Sequence, residues 1–327
     1  METENVNKMK IYYRYRVSVV MPCYNADKYI GEAIQSIINQ SLADWELIII
    51  DDGSTDDTIE KIKMFKDLRI KLIQLKKNYG NYYARNIGIK ASSGKYLAMF
   101  DSDDISHLNR LELQYDYLES RPRTGAIGTS FHYIDSQGVK TGFEDRACGS
   151  SVFKVHLISN NFMLQSTIFI RSHLVEKYKL MYSTNYVYAS DYDFVFQCSK
   201  YFKIYNLADY CVSYRVHYQN ITHSKRVLQQ ECAFQIRRDI LNYYFGDILS
   251  ASELRFVNEL FQDNRSELNL SYVESIFNKM LMFNMKSKSL KNTELYKFLY
   301  KEFTVLAYKQ VAQRTERVNQ PYPEENR

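Results

Sequence analysis

Two short stretches of the chain crowd carboxylates beside glycine and hydroxyl residues: Asp51-Asp52-Gly53-Ser54-Thr55-Asp56 and Asp101-Ser102-Asp103-Asp104. A third polar cluster, Pro22-Cys23-Tyr24-Asn25, closes an earlier apolar run. Asp, Asn, Gly and Ser are ordinary turn and cap residues, and any one cluster taken alone reads equally well that way. Carboxylates delivered to one crevice from two strand ends would repel each other, and a cation is the economical remedy. Oxygen-only ligands suit a hard divalent ion, Mg²⁺ or Mn²⁺. A site with one or two carboxylates completes its shell with substrate phosphates and water. No Gly-x-Gly-x-x-Gly follows the first run and no Gly-Lys-Ser/Thr loop exists, which removes dinucleotide-binding and P-loop readings. The expected ligand is a metal-bound phosphate compound held without a glycine-rich cradle.

Elements that deliver these clusters are legible in the first hundred residues. Val17 to Met21 reads as a buried strand, and Ile30, Ala33, Ile34, Ile37 and Ile38 fall on one helical face. Glu46 to Ile50 is the next strand. Ser54-x-x-Asp57 resembles a capping box ahead of Ile59, Ile62 and Phe65. Ile70 to Leu75 reads as a strand, Asn81 to Ser92 as a helix and Tyr96 to Phe100 as a strand. Strands about one βα unit apart predict an α/β fold, a mostly parallel Rossmann-like sheet with flanking helices. Ligands then bind beyond the carboxyl ends of the strands, where the three clusters arrive. Past Asp104 the spacing predicts a helix through Leu108, Leu111, Tyr115 and Leu118, then strands at Gly125 to Ile134 and Thr167 to Ile170. A helix over Asp191 to Phe202, an extended segment over Ile204 to Val216, and a largely helical region from Lys225 to Val318 complete the expectation. Pro321 to Pro323 reads as a frayed tail.

The whole chain, 327 residues with 45% hydrophobic and 25% charged, is long enough for a proper core. With 29 Tyr and only 4 Pro it does not read as disordered. Its longest aliphatic run, Leu47 to Ile50, falls far short of a membrane span. Met1 to Tyr15 is polar without an apolar stretch, so a cytoplasmic protein without an export leader is expected. The net charge of +5 is too mild to call for a nucleic-acid partner. It is uneven, however: residues 275–320 hold nine basic and three acidic side chains. Five widely spaced cysteines with no Cys-x-x-Cys pair read as reduced thiols.

Taken together, Val17-Ser-Val-Val-Met-Pro-Cys-Tyr-Asn25, Ile50-Asp-Asp-Gly-Ser-Thr-Asp56, Ala84-Arg-Asn-x-Gly88, Gly94-Lys-Tyr, Asp101-x-Asp103-Asp104 and Ser190-Asp-Tyr-Asp193 resemble the motifs of family 2 inverting glycosyltransferases, in order and spacing. The resemblance covers about residues 16–220. It implies a GT-A fold that transfers a hexosyl or N-acetylhexosaminyl group from a nucleoside diphosphate sugar, commonly UDP-linked. The acceptor it implies is a saccharide or lipid-linked saccharide in surface polysaccharide or lipid-linked glycan synthesis, with Mn²⁺ or Mg²⁺ as cofactor. The implied organisation is an extension at 1–15, a GT-A domain at 16–224, and a C-terminal helical region at 225–327. The nucleotide-binding half lies at about 16–104 and the acceptor-binding half at about 105–224.

By the same resemblance Pro22 and Tyr24 border the base and Asp52 accepts from its N3–H; Asn25 and Asp51 count among the nucleotide-sugar-binding residues, Asp51 with a structural role as its alternative. Arg85 reaches the nucleotide or its phosphates, with a surface arginine on a helix as the bland alternative. Asp101 and Ser102 face the ribose or the sugar, and Asp103 the metal. Tyr214-Arg-Val-His217 resembles a Tyr-Arg-x-His segment whose histidine lies near the diphosphate or metal. His217 is therefore either a ligand or a hydrogen-bonded structural residue. The family often has Glu-Asp where this chain has Ser190-Asp191. Asp191 occupies the place of the catalytic base, with a helix-cap role as its alternative, and Asp193 reads as a cap or dipole partner. Two rivals stand beside this reading: a sugar nucleotidyltransferase, and a catalytically silent glycan-binding or scaffold subunit. In 275–320, Met280, Leu281, Phe283, Met285, Leu295, Phe298, Leu299 and Leu306 lie among lysines. That pattern suits either a helical part packed on the catalytic domain or a peripheral contact with anionic membrane.

Overall fold

The computed structural model describes residues 13–218, 220, 224–261 and 269–318. Most of the 1–15 extension and the Pro321 to Pro323 tail lie outside the described residues. Strand β1 (Tyr15–Cys23) is buried from Val17 onward and β2 (Trp45–Asp51) throughout, as strands covered on both faces must be. With β3 (Ile70–Gln74) and β4 (Gly94–Met99) they form a parallel block in the order β3-β2-β1-β4. Residue alternation sorts the strands' side chains between two cores. Val17, Val19, Met21, Leu47 and Ile49 join α1 (Ile30–Ile38) on one face, while Val20, Ile48 and Ile50 join α3 (Asn81–Ala91) on the other. Register pairs Cys23 with Asp51 and Val20 with Met99, so all three polar clusters leave the same sheet edge.

One local expectation is corrected. Helix α2 (Thr58–Lys63) has no Ser54–Asp57 capping box; its N-cap residue, Asp57, makes no side-chain cap bond. The Asp56 carboxylate instead accepts the Thr58 N–H at 3.1 Å, a local Asx-type contact that competes with the box.

The second half extends the sheet as β4-β8-β6-β9-β5, with β7 on β6. Its elements are β5 (Ile105–Ser106), α4 (Arg110–Glu119), β6 (Thr124–Ile134), β7 (Lys140–Glu144), α5 (Ser150–His156), β8 (Phe169–Arg171), α6 (Ser172–Lys177), α7 (Ser190–Tyr201) and β9 (Lys203–Arg215). Parallel pairing carries the long registers, including β6 with β9, whereas antiparallel pairing falls to the short β5, β7 and β8. Strand β8 starts two residues later than Thr167, because Gln165–Thr167 closes into a single 3₁₀ turn.

Four helices finish the described chain: α8 (Arg226–Phe245), α9 (Ala251–Leu260), α10 (Leu270–Ser287) and α11 (Asn292–Val318). Their buried Ile240, Phe245, Val257, Met280, Leu295 and Leu299 join the same core as Phe153 of α5 and Phe194 of α7. Several apolar residues singled out among the lysines of 275–320 therefore pack inward, although Met285 is exposed. Among the described residues no helix is long and apolar enough to cross a membrane.

Candidate active site

At the edge of β1 and β2, the chain ends are tied to each other. Asn25 sits in the left-handed region at φ 47°; its N–H donates to Ser54 Oγ at 2.9 Å and its Oδ1 accepts from Thr55 N–H at 2.9 Å. Asn tolerates that conformation better than most residues. Pro22 pairs across to Ile50, and Tyr24 beside it is 46% exposed, leaving a ring face open. Asp51, buried, takes the Ser54 N–H at 3.2 Å and the Cys23 thiol, whose pKa burial pushes up.

Asp52 is buried and its two oxygens accept the N–H groups of Tyr79 and Gly80, each at 2.8 Å. Burial raises its pKa, and the two amides oppose that. The 77–80 loop comes this close because Gly53 has no side chain. A Cβ there would lie 2.6 Å from the Lys77 carbonyl carbon, and φ is 78° besides. Each carboxylate oxygen keeps a second lone pair for a ligand. Asp52→Ala is expected to weaken metal-free nucleotide binding by about tenfold or more, since a hydrogen bond to a charged group contributes about 1.5–3 kcal/mol. Calorimetric titration checks it. A lowered melting temperature with unchanged nucleotide affinity would reduce Asp52 to an anchor of the loop.

The β4 cluster is organised by two buried arginines. Arg85 of α3 is fully buried and ion-paired with Asp101, while its Nε and Nη1 have no partner among the described residues. A buried guanidinium with open N–H groups is suited to an anion. Ser102, partly exposed, follows Asp101 in the same turn. Arg215, at the end of β9, donates from its backbone N–H to Asp104 at 2.9 Å and from Nε to the Asp103 carbonyl at 2.8 Å. Its Nη2 reaches Glu32 of α1 at 2.6 Å, and its plane lies 4.6 Å from the Tyr29 ring centroid. Asp104 is fully buried, and burial first, then Asp103 and Asp101, pushes its pKa well up. That inward turn leaves Asp103 to face the crevice.

His217 Nε2 lies 3.0 Å from Asp103 Oδ2, which Asn220 Nδ2 also approaches at 3.2 Å; His217 Nδ1 has no partner among the described residues. Among the described residues no three His, Cys, Asp or Glu side chains converge as a cage for an ion. One carboxylate and one imidazole with an unfilled remainder nevertheless fit a divalent ion that a bound diphosphate completes.

Asp191 lies in the first turn of α7, partly buried. Tyr82 Oη donates to its Oδ1 at 3.0 Å and Asn161 Nδ2 to its Oδ2 at 2.8 Å. Burial raises its pKa, with Tyr82, the Tyr192 amide, Asn161 and the Arg85 charge pulling the other way. Asp193 faces elsewhere, accepting from Gln197 at 2.9 Å near Asp239, as the roughly 200° between positions two apart on a helix requires. Ser190 is fully buried and its hydroxyl has no partner.

Helix α3 joins these parts. Tyr82, Arg85 and Asn86 share a face at i, i+3 and i+4. They reach Asp191, Asp101 and the Tyr182 backbone respectively, the last through two hydrogen bonds at 2.8 and 2.9 Å. On this helix the motif Ala84-Arg-Asn-x-Gly88 gives a role to Arg85 alone, and the sequence assigns none to Tyr82, Asn161 or Arg215. Their helical spacing was the available signal for Tyr82 and Asn86; Asn161 offered none.

The family model described as Glycosyl transferase family 2 matches residues 18–180. An uncharacterised glycosyltransferase of Haemophilus influenzae is 32% identical over 251 residues, 71% of this chain and 75% of its own. Escherichia coli WfgD, a UDP-Glc:alpha-D-GlcNAc-diphosphoundecaprenol beta-1,3-glucosyltransferase, is 45% identical over 100 residues, 31% of this chain and 40% of WfgD. Among solved structures, Staphylococcus aureus TarS 1-349 in complex with UDP-GlcNAc matches at TM-score 0.59 and 18% identity, over 94% of this chain and 93% of that one. The mannosyltransferase PcManGT from Pyrobaculum calidifontis, in complex with GDP-Man and Mn²⁺, matches at TM-score 0.56 and 18% identity, over 96% and 89%. The fold is thus that of GT-A glycosyltransferases, and the match of sequence over most of both chains is to a glycosyltransferase rather than a nucleotidyltransferase. This chain belongs to glycosyltransferase family 2 and is a glycosyltransferase of glycan biosynthesis.

Proposed function

We propose that the protein moves a sugar from a UDP-linked donor to a hydroxyl of a saccharide or lipid-linked saccharide, with inversion at the anomeric carbon and with Mn²⁺ or Mg²⁺ bound. The observation that carries this reading is Asp191. It is a carboxylate of raised pKa, held by Tyr82 and Asn161, and linked through one face of α3 to the Arg85–Asp101 pair. In a single displacement the acceptor oxygen attacks the anomeric carbon as Asp191 takes its proton. The bond from that carbon to the diphosphate breaks, and its electron pair leaves with the diphosphate. Asp191 must come within about 2.6–3.2 Å of the acceptor hydroxyl in the reacting complex.

The remaining residues serve the donor. Tyr24 stacks on the base beside Pro22, Asp52 accepts from it, and Asn25 and Asp51 hold the turn that shapes the pocket. Asp101 and Ser102 face the ribose or the sugar, and the open N–H groups of Arg85 receive a phosphate oxygen. Asp103 and His217 would hold a divalent ion, which would supply positive charge against the departing diphosphate. In this reading residues 16–104 take the nucleotide, 105–224 the acceptor, and the helices beyond 225 buttress both on the cytoplasmic side of the membrane. TarS in complex with UDP-GlcNAc and the lipid-linked acceptor in WfgD's name support the donor and acceptor classes; PcManGT with GDP-Man and Mn²⁺ supports the ion and is the reason to test GDP donors.

A panel of UDP-, GDP- and dTDP-sugars with Mn²⁺, scored by nucleotide release and thermal shift, tests the proposal. UDP-sugars are expected to raise the melting temperature most and to turn over. Turnover confined to GDP-sugars would overturn the donor assignment. Retained anomeric configuration in the product, read by NMR, would overturn the single displacement.

A further inference from the structure

A second cleft, of about 900 Å³, opens where the start of β9, the start of α5 and the end of α7 meet the turn between α10 and α11. Helix α7 separates it from the candidate active site. Asp191 stands at one end of that helix and Lys200 and Tyr201 line the cleft at the other, a rise of about 15 Å. Strand β9 also runs between the two, with Lys203 in the cleft and Arg215 in the active site, about 40 Å apart along an extended strand.

Lysines dominate its wall. Lys154, Lys203, Lys288 and Lys291 line it together with Lys200, against a single carboxylate, Glu294. Among the described residues Lys154, Lys203 and Lys288 make no ion pair. Lys291 reaches Glu294 only at 3.9 Å, and Lys297 shares that carboxylate at the same distance. Lys200 is engaged along its own helix by Gln197 at 2.9 Å. Lys279, in the same basic C-terminal segment but outside the cleft, is by contrast matched by Glu253 at 3.0 Å. Ammonium groups gathered around one cavity repel each other, and burial already pushes the Lys154 pKa down. A ligand carrying more than one negative charge relieves both effects. Ser151 and Asn292, also on the wall, add neutral hydrogen-bonding groups that suit phosphate oxygens.

The geometry points to a phosphate-binding site in this cleft, remote from the transfer chemistry, that takes a multiply charged phosphate group either free or as the headgroup of an anionic lipid. The test uses the full chain and the variant Lys154→Gln/Lys203→Gln/Lys288→Gln, whose positions line no part of the candidate active site. In calorimetric titration with inorganic pyrophosphate, the wild type is expected to take up one equivalent more than the triple variant. In cosedimentation, vesicles of phosphatidylcholine with phosphatidic acid, whose phosphomonoester headgroup can carry two charges, are expected to bind the wild type about 100-fold more tightly than the variant, roughly fivefold per lysine, and to release it as salt rises. Pyrophosphate uptake without vesicle binding assigns the site to a free phosphate ligand, and lysine-dependent vesicle binding assigns it to a lipid headgroup. Equal pyrophosphate stoichiometry in both proteins, together with vesicle binding that ignores the three lysines or the anionic lipid, overturns the site. Unchanged UDP affinity and melting temperature in the variant certify that it is folded.

Discussion

Asp191→Asn is expected to lower sugar transfer roughly 100- to 10,000-fold, the range that a positioned proton acceptor contributes. Nucleotide affinity and melting temperature should stay close to wild type. The amide keeps the shape of the carboxylate. Its carbonyl can accept from Asn161 while its N–H₂ donates to the Tyr82 hydroxyl, which serves equally as donor or acceptor. Removing a buried charge also removes a cost to the native state at neutral pH, because burial raises the Asp191 pKa. Only proton acceptance is lost. The same raised pKa fixes the sign of the pH profile: activity requires the ionised carboxylate, so the rate falls as pH drops through a value above the ordinary aspartate range. Tyr82→Phe deletes a donor that stabilises the anion, and the acidic limb should move further up in pH. Asp193→Asn is the control, since that side chain faces Gln197 and Asp239. If it reproduces the Asp191→Asn profile, the base is Asp193; if neither variant slows transfer, single displacement from this helix is wrong.

Asp103→Asn should cut transfer roughly 100- to 1,000-fold, the weight of several kcal/mol of transition-state charge no longer neutralised. The amide retains a hydrogen-bonding partner for His217 and Asn220 but brings no charge to an ion. The increment that Mn²⁺ adds to UDP affinity should disappear, while metal-free affinity stays where it was. Titrations with Mn²⁺ and with excess EDTA separate the two. Wild-type turnover in EDTA, or a fully active Asn variant, would remove the ion from the proposal.

Strands β1, β2 and β4 were legible because each is an apolar run stopped by residues that cannot continue it, and buried strands tolerate little else. Helix α1 was legible from five apolar positions on one face. The short α5 and α6 and the exposed β7 were not. Six- or seven-residue helices lack the length for a periodic signal, and β7, Lys-Thr-Gly-Phe-Glu, has no buried alternation to reveal it. The site follows the same division. The carboxylate clusters were visible because they interrupt strands, and the structure brings Asp52, Asp101, Asp103, Arg85 and His217 to the edge where those strands end. What holds them was hidden in long-range contacts. Tyr82 meets Asp191 across 109 positions, and Arg215 meets the Asp103 carbonyl across 112. Neither pairing has a local pattern, and both depend on how β9 and α7 return to the parallel block. The basic C-terminal segment divided likewise: its buried methionine and leucines could be read as apolar, but not the partner they face.

Helix α3 works as a caliper. Its three contacts from one face fix the separation between Asp191, the proposed base, and Arg85, proposed to meet the leaving group, and that separation is set by helical pitch rather than by loop length. Loops that make none of these contacts can change in length and composition while that separation is held. A single residue inserted between Tyr82 and Arg85 has the opposite effect: it turns one jaw by about 100° relative to the other. In such a scaffold the gauge belongs to this one helix.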